Sequence, residues 1–246
     1  MSAEIPKTIA GLPNSEPRYV GRPIDRLEDP ALLTGQAEFI DNLVFPRMLH
    51  CAILRSPHAH ARVTAIDTSE AEKLPGIFAV VTGADAQRWS NPVLTVPPGW
   101  GTHCLATDKV RFVGDPVAAV AAISEDVAFE AMNAIRVEYE PLPVIGSVDD
   151  AAATPAPQLH GYADEGNWHK LVHLQFGELD EGFQRADLVR EDLFLYEGNT
   201  HLPMEQHASI AHATPDGRVT VWSSTQTPHY LHRALSKVLD LPPARI

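Results

Sequence analysis

The chain has 246 residues, of which 44% are apolar and 21% are charged, an ordinary composition for a globular protein. Its 19 basic and 32 acidic residues give a net charge of −13, which argues against nonspecific binding to nucleic acid or to an anionic membrane surface. No stretch approaches the ~20 apolar residues of a membrane span, and residues 1–10 lack the pattern of a signal peptide. We therefore expect a cytoplasmic protein with no membrane span and no nucleic-acid partner.

The two cysteines, Cys51 and Cys104, are too few for a disulfide framework or a four-thiolate metal site. Cys51 lies in the apolar run of residues 49–54, which predicts a buried free thiol. Because no Cys-x-x-Cys pair occurs in the sequence, any iron–sulfur chemistry must reside on another chain.

The first folded domain is predicted at residues 48–143, after an extended arm of residues 1–18 and an ordered loop at about residues 19–37. Several apolar segments bounded by Pro and Gly have the pattern of strands, and two of them are followed by a helix cap and a helical stretch. The predicted elements are strands at residues 48–55, 61–67, 77–82, 116–123 and 136–140, with helices capped at Thr68 and Ser124. Two strand–helix–strand passes of this kind indicate a domain of mixed α/β structure.

A linker is predicted at residues 146–170, where Ala and Pro are followed by Gly, Asn and His. Residues 171–246 then form the start of a second domain, in which Thr214-Pro-Asp-Gly217 is a strong hairpin signal. The predicted elements are strands at residues 172–176 and 188–196 with a helical turn at residues 183–186 between them, strands at residues 208–213 and 218–222, a helix from Thr227-Pro228, and a strand that begins at Arg245-Ile246.

Neutral polar side chains lie at predicted strand–loop boundaries in this second part. Asn199 and Thr200 occupy one such boundary, and Thr225 and Gln226 occupy another. Amides and hydroxyls that both donate and accept hydrogen bonds suit a large polar cofactor whose charge lies elsewhere. Turn capping and hydrogen bonding at a sheet edge are the alternative roles of the same residues, and the residues alone leave both open.

Two groups of histidines raise the question of a metal site. His58 and His60 share a strand face, as do His201, Glu205 and His207 if that region is extended. Neither group has a further ligand at a sensible spacing, so hydrogen bonding is favoured and no metal ligand is predicted. No Ser/His/Asp or Cys/His arrangement has the local context of a catalytic triad, and no glycine-rich phosphate loop is present.

A series of motifs, each weak alone, is specific when it is read in order along the chain. The motifs are Gly21-Arg-Pro23 with Thr34-Gly35, Leu54-Arg-Ser-Pro-His-Ala-His-Ala-Arg62, Leu74-Pro-Gly76 with Val81-Thr-Gly-Ala-Asp85, Val113-Gly-Asp-Pro-Val-Ala-Ala-Val120, Val137-Glu-Tyr-Glu-Pro-Leu-Pro143, His201 with Met204-Glu205, and Ser224-Thr-Gln-Thr-Pro228. From about residue 19 to residue 246 the chain resembles the molybdopterin-binding large subunit of the molybdenum hydroxylases, the xanthine dehydrogenase and aldehyde oxidase family.

The resemblance implies an α/β (α+β) fold: an a/b hammerhead domain at residues 19–145 followed by an incomplete molybdopterin-binding domain at residues 171–246. It implies a molybdenum–molybdopterin cofactor in the complete subunit, contacted by Asn199, Thr225 and Gln226. It also implies a hydroxylated small-molecule substrate, and partners that carry iron–sulfur clusters and FAD. The family's glycine-rich loop and catalytic glutamate would lie downstream of residue 246, so no catalytic residue is assigned to this chain.

At one position the sequence departs from the family's pattern. Asn199 occupies a position that is usually glutamine in the family, where the amide contacts the molybdenum oxo ligand, and it is one methylene shorter. The sequence His201-x-x-Met204-Glu205 in the same loop is similar to the 4-hydroxybenzoyl-CoA reductase branch.

Two hypotheses follow for the whole chain. The first is that it is the N-terminal portion of such a large subunit, either truncated or encoded as one half of a split subunit, and inactive alone. The second is a non-catalytic, stand-alone hammerhead module for binding or assembly. Cofactor content separates them, because only the first predicts stoichiometric molybdenum once the rest of the subunit is supplied.

Overall fold

The computed structural model describes residues 19–92, 101–153, 157–161, 166–168, 171–203 and 205–246. The predicted arm at residues 1–18 lies outside this range. The chain divides into two compact units, Met1–Leu43 and Val44–Ile246. In the described part of the first unit, helix α1 (Asp29–Leu33) is followed by a 3₁₀ turn at Ile40–Asn42. None of the helices in the described ranges is both long and apolar enough to cross a membrane.

Six strands and three helices form the first part of the second unit. The strands make two three-stranded antiparallel sheets, with the orders β1-β5-β3 and β4-β2-β6. The elements are β1 (His50–Arg55), β2 (Ala61–Asp67), α2 (Ser69–Glu72), β3 (Ile77–Thr82), α3 (Gly83–Trp89), β4 (Lys109–Val110), β5 (Pro116–Ala122), α4 (Glu125–Ala134) and β6 (Arg136–Pro141). The five predicted strands and both predicted helices of this region are therefore confirmed. We call residues 50–141 the two-sheet region.

Both predicted strand–helix–strand passes cross from one sheet to the other. The pass β2–α2–β3 begins in the second sheet and ends in the first, and β5–α4–β6 runs from the first sheet to the second. As a result β3 pairs antiparallel with β5, and β2 pairs antiparallel with β6. The arrangement is α+β, with α2 and α4 in contact.

Small side chains allow α4 to pack closely on the first sheet. Val120 and Ala122 of β5 are fully buried, as is Ala131 of α4, while Ala128 of α4 is 1% exposed. Ser124 caps this helix by accepting a hydrogen bond of 3.3 Å from the backbone N–H of Val127. The predicted cap is thus confirmed, and it holds one end of the helix that covers the core.

The predicted hairpin and final helix are also present. Strands β7 (Ser209–Ala213) and β8 (Val219–Ser223) pair antiparallel, and helix α7 (Pro228–Val238) follows. The turn between the strands closes through a hydrogen bond of 2.9 Å from Gly217 N–H to the carbonyl of Thr214. Gly217 has φ +80°, a conformation that costs glycine little and other residues more.

Three predicted strands of the second domain are wrong. Residues 171–176 and 188–196 belong to no sheet, and their apolar side chains are exposed, up to 98% at Leu193. An alternating pattern becomes a strand only when a neighbouring strand accepts its hydrogen bonds, and no described residue supplies one here. Helix α6 (Leu179–Arg185) occupies the predicted helical turn, and Pro243–Arg245 forms a 3₁₀ turn instead of the start of a strand.

The predicted linker contains one short helix, α5 (Val148–Ala152), which Ser147 caps. Residues 154–156, 162–165 and 169–170 lie outside the described range. The described residues 157–161 are mostly half-buried, so this part of the linker packs on the protein.

Candidate functional site

Thr225 and Gln226 lie side by side in the loop that joins β8 to α7. The Thr225 hydroxyl accepts a hydrogen bond of 3.2 Å from the backbone N–H of Thr227, the residue before the helix. Before them, Ser224 accepts a hydrogen bond of 2.9 Å from the N–H of Ala208 and so attaches the loop to the start of β7. Both predicted residues are exposed, and their backbone is fixed by neighbours at each end.

The same loop leads into the N-terminus of α7. Pro228 is the first residue of this helix, and its first turn contains no acidic side chain. The unpaired backbone N–H groups of a helix start carry partial positive charge, which acidic side chains often neutralise. The end of α7 beside Thr225 and Gln226 is therefore open to neutral or anionic ligand groups.

Asn199 lies in an irregular, exposed segment that ends before β7. No hydrogen bond joins it to Thr225 or Gln226 within the described residues. Nearby, Leu202 has φ +43°, while Met204 of the predicted His-x-x-Met-Glu motif lies outside the described range. Thr225 and Gln226 are thus neighbours in one loop, whereas Asn199 lies in a separate, exposed segment.

The donor set at the β8–α7 loop fits a polar cofactor that carries its own negative charge. Thr225 and Gln226 are neutral and exposed, and the adjoining helix start is free of carboxylates. A molybdopterin has many hydrogen-bonding atoms and an anionic phosphate, so neutral donors and helix N–H groups suit it better than acidic side chains would.

The histidine pair of the first motif makes hydrogen bonds and ring contacts. His60 is 4% exposed, and its Nδ1 lies 2.7 Å from the carbonyl oxygen of Pro143. The His58 ring contacts the Tyr139 ring in a tilted arrangement, with centroids 4.8 Å apart, and the backbone N–H of His58 donates to the Ser56 hydroxyl. The His60 ring thus makes the kind of hydrogen bond that the sequence favours, whereas the His58 ring makes an aromatic contact. The described residues contain no group of three metal-ligating side chains.

Two of the sequence motifs meet in the two-sheet region. The N–H of Ser56 donates to the carbonyl of Asp115 at 2.9 Å, and the N–H of Gly114 donates back to the carbonyl of Ser56 at 2.8 Å. The Arg55 guanidinium adds a hydrogen bond of 2.9 Å to the carbonyl of Gly114. These motif residues bind each other's backbones, so their role here is structural.

A cluster of charged side chains surrounds this junction. Burial raises the pKa of the Asp115 carboxyl, although the N–H and charge of Arg111 oppose that shift. Burial also lowers the pKa of the Lys109 ammonium. Burial is the largest single influence on the pKa of Asp108 and raises it, but the charge and hydrogen bond of Arg111 together with backbone N–H groups outweigh burial, so the net shift is downward.

The predicted burial of Cys51 is wrong, because its side chain is exposed, as is that of Cys104. Successive side chains of a strand point to opposite faces, and on β1 the buried neighbour is Ala52, 3% exposed. The remaining desolvation still raises the pKa of the Cys51 thiol.

Sequence reasoning missed a cavity of about 360 Å³ in the two-sheet region. It lies between β2 and the junction of β3 with α3, and its polar lining includes Thr64, Thr82 and Asp85. None of Asn199, Thr225 and Gln226 lines it. The motif Val81-Thr-Gly-Ala-Asp85 supplies part of its wall, but the sequence does not show that this segment faces residues 63–72 and 106–107.

Comparison with known proteins gives two consecutive family matches. Residues 34–143 match the aldehyde oxidase and xanthine dehydrogenase a/b hammerhead domain, and residues 161–246 match a molybdopterin cofactor-binding domain. The chain belongs to the aldehyde oxidase and xanthine dehydrogenase family of molybdenum hydroxylases. It carries a hammerhead domain followed by a molybdopterin cofactor-binding domain, in the predicted order. The predicted boundaries of the domains and linker stay predictions.

Individual relatives are similar in sequence to this protein along most of its length. The nicotinate dehydrogenase large molybdopterin subunit of Eubacterium barkeri is 33% identical over 225 residues, which cover 91% of this chain and 50% of that protein. A probable xanthine dehydrogenase subunit from Bacillus subtilis is 34% identical, over 87% of this chain and 28% of that protein. Quinoline 2-oxidoreductase from Pseudomonas putida 86 superposes with a TM-score of 0.81 at 31% identity, over 91% of this chain and 29% of that one.

The chain thus spans between a quarter and a half of the length of these relatives. Several relatives are named as subunits or chains of larger enzymes, among them the large chain of a carbon monoxide dehydrogenase and the gamma subunit of a 6-hydroxypseudooxynicotine dehydrogenase complex. The comparisons do not confirm the 4-hydroxybenzoyl-CoA reductase branch, which stays a prediction.

Proposed function

We propose that this chain is the N-terminal portion of the molybdopterin-binding subunit of a molybdenum-dependent hydroxylase. The observation that carries the proposal is the succession of the two family matches, at residues 34–143 and 161–246, in the order predicted from the motifs. The hammerhead domain supplies a compact scaffold, and the β7–β8–α7 segment supplies part of the cofactor's surroundings. The isolated chain is proposed to be inactive.

In this proposal Thr225 and Gln226 bind the polar periphery of the molybdopterin, and Asn199 approaches it from the irregular segment. When bound, the cofactor supplies two-electron oxidation of a substrate carbon with oxygen taken from water. The chain's own residues orient the group by neutral hydrogen bonds, and the helix start beside Gln226 favours its negative charge. The general base lies on the remainder of the subunit.

The substrate class is proposed as an aldehyde, an aromatic heterocycle or a related small molecule. The names of the relatives support this range, since they include nicotinate, xanthine and quinoline enzymes. Electrons would leave through iron–sulfur clusters and FAD on partner subunits, in a complex that we expect to be cytoplasmic. These partners come from the family resemblance and from relatives that are named as subunits.

Co-expression tests the proposal. The 246-residue chain is produced in a host that makes molybdopterin, alone and together with the polypeptide encoded downstream of codon 246. Molybdenum per chain is then measured by mass spectrometry, and the pterin by fluorescence after oxidation. We expect negligible molybdenum on the chain alone and about one atom per complex when the second polypeptide is present.

Two outcomes would contradict the proposal. Stoichiometric cofactor on the chain alone would mean that these 246 residues suffice to hold the cofactor. A stable complex without molybdenum or pterin would favour the non-catalytic hammerhead module instead.

A further inference from the structure

Three consecutive backbone carbonyls between the two matched domains are each bound by a side chain. The carbonyl of Pro157 accepts from the Asn167 amide at 2.9 Å, and that of Gln158 accepts from Lys109 Nζ at 2.7 Å. The carbonyl of Leu159 accepts from Arg111 Nε at 3.0 Å. We call residues 157–161 the strap. Lys109 and Arg111 both belong to the two-sheet region. Their charge-assisted hydrogen bonds therefore hold the strap against that region.

The His60 ring contacts Lys109, and the positions of the protons on this ring follow from the groups that surround it. Nδ1 lies 2.7 Å from the carbonyl oxygen of Pro143, and a carbonyl oxygen only accepts, so Nδ1 carries a proton. Nε2 lies 3.1 Å from Lys109 Nζ, and an ammonium only donates, so Nε2 must accept. The ring is therefore the neutral Nδ1–H tautomer, and its Nε2 accepts a hydrogen bond from the Lys109 ammonium.

We propose that His60 and Lys109 form a protonation-sensitive clamp that holds the strap against the two-sheet region only while the His60 ring is neutral. A second ring proton would put an N–H on Nε2, so two donors and two positive charges would face each other across 3.1 Å. Lys109 would then leave its position, and its hydrogen bond to the strap carbonyl would be lost. Protonation of His60 would thus release the strap, which is the segment that leads from the two-sheet region into the molybdopterin-binding domain.

The surrounding charges make this site intolerant of further positive charge. Burial lowers the pKa of the Lys109 ammonium, Arg111 acts in the same direction, Asp108 opposes the shift, and Arg62 adds to it. Beyond Arg111 lie Asp115 and, on the strap itself, His160, which interact electrostatically. A protonated His60 would therefore face the Lys109 ammonium directly, while Arg62 and Arg111, which are paired with Glu140 and Asp108, already add positive charge around Lys109.

Nuclear magnetic resonance of the full 246-residue chain provides the first test. Long-range proton–nitrogen spectra of ¹⁵N-labelled histidine rings distinguish the two neutral tautomers from the cation. We expect the Nδ1–H tautomer for His60 at pH 8, with the signal assigned by its loss in His60→Gln. An Nε2–H tautomer or a cation at pH 8 would overturn the clamp, whatever the variants show.

The second test measures the strap itself through amide exchange of Leu159, whose N–H donates to the Asn167 side chain at 2.9 Å. Between pH 8 and pH 5, the range in which histidines gain a proton, wild-type protection corrected for intrinsic rates should fall by at least about fivefold. Lys109→Met should reduce protection about tenfold at pH 8, because a hydrogen bond to a charged group is lost. His60→Gln, which cannot gain a charge, should show no pH-dependent fall.

Two matched histidine variants separate the clamp from its surroundings. His58→Gln changes the neighbouring ring that packs on Tyr139, and His160→Asn removes the titrating group of the strap. Both should keep the wild-type pH profile of Leu159. The clamp is overturned if Lys109→Met leaves the profile unchanged, or if His160→Asn alone abolishes it.

Protection of the Val120 amide in β5 reports whether each variant folds. If His60→Gln fails this check, the His60 ring signal is assigned through its correlations to the backbone of the wild-type chain, and that tautomer and the Lys109→Met profile still decide the question. The inference concerns the chain without cofactor, so its failure would leave the proposed molybdopterin function untouched.

Discussion

Gly83 and Ala106 approach each other so closely that a Cβ on Gly83 would overlap the carbonyl oxygen of Ala106. Gly83 is the first residue of α3 and is buried. The glycine is required by this contact and not by its backbone angles, since its φ is not in the left-handed region. Within Val81-Thr-Gly-Ala-Asp85 the glycine thus lets the segment that holds Ala106 lie directly on the start of α3.

Replacement of Gly83 by Ala should destabilise the protein. Because the obstructing atom belongs to the backbone, the added methyl group forces the two segments apart, and such overpacking costs about 1–3 kcal/mol. Urea unfolding followed by circular dichroism measures the loss. Gly182→Ala is the matched control, since an added Cβ there meets nothing within 4 Å and lies in helix α6. Equal unfolding midpoints for the two variants would contradict the contact.

The strands of the two-sheet region could be predicted because their sequence pattern and their partners lie in the same segment of chain. Residues 61–67 and 77–82 were predicted with the bounds that β2 and β3 have in the structure. Residues 188–196 have an equally suggestive pattern, but no described residue pairs with them. Sequence periodicity reports which side chains could face a core, and it does not report whether a neighbouring strand exists.

The place of the candidate residues in the fold was predictable to the same local extent, while their role stays a prediction. Thr225 and Gln226 lie between the strand predicted at residues 218–222 and the helix predicted from Thr227-Pro228, and both elements are present. Asn199 could not be placed relative to them, because an irregular segment has no period from which to infer a direction. The contact of Lys109 with His60 and with the strap could not be predicted from the sequence either. His60 and Lys109 are 49 residues apart, and Lys109 is a further 49 residues from Gln158.

Stability should depend on pH through Asp85. The backbone N–H of Thr82 lowers the pKa of this carboxyl, the Thr82 hydroxyl and Arg88 act in the same direction, and burial opposes them. A carboxyl whose pKa is lower in the folded than in the unfolded state stabilises the fold above its unfolded pKa of about 3.9, and this contribution is lost as the pH falls.

Asp85→Asn should therefore lower the free energy of unfolding at pH 7 by about 1 kcal/mol, the usual effect of losing a helix cap. The difference from wild type should shrink steadily below about pH 4, where both carry a neutral side chain at this position. Urea titrations at a series of pH values measure it, with the exposed Asp187→Asn as control. A difference that is the same at pH 7 and pH 3 would exclude the carboxylate as the source.

The caps of two helices should differ in their effect on global stability. Ser124 and Ser147 both accept a hydrogen bond from the backbone three residues later, at 3.3 Å and 3.0 Å. The helix after Ser124 buries Ala128 and Ala131 in the core, whereas the helix after Ser147 has no buried residue. Ser124→Ala should cost about 1 kcal/mol in chemical unfolding, and Ser147→Ala should leave the midpoint unchanged because α5 can fray locally. The reverse order would show that α4 is not part of the cooperative core.

Variants of the β8–α7 loop should lower cofactor occupancy and leave the global unfolding midpoint unchanged, because the hydrogen bond that Thr225→Val removes lies at the exposed start of α7. In the co-expressed complex, Thr225→Val and Gln226→Ala each remove one neutral hydrogen-bonding group, worth about 0.5–1.5 kcal/mol, so cofactor binding should weaken about twofold to tenfold. Thr225→Ser keeps the hydroxyl that accepts from Thr227 N–H and should retain wild-type molybdenum. Thr220→Val, an exposed change on β8, serves as the control for the hairpin itself.

Molybdenum per complex measures the effect, and unfolding midpoints measured alongside show whether the loop still folds. If both loop variants load as fully as the Thr220 control, the cofactor is held by other residues and Thr225 serves only to begin helix α7.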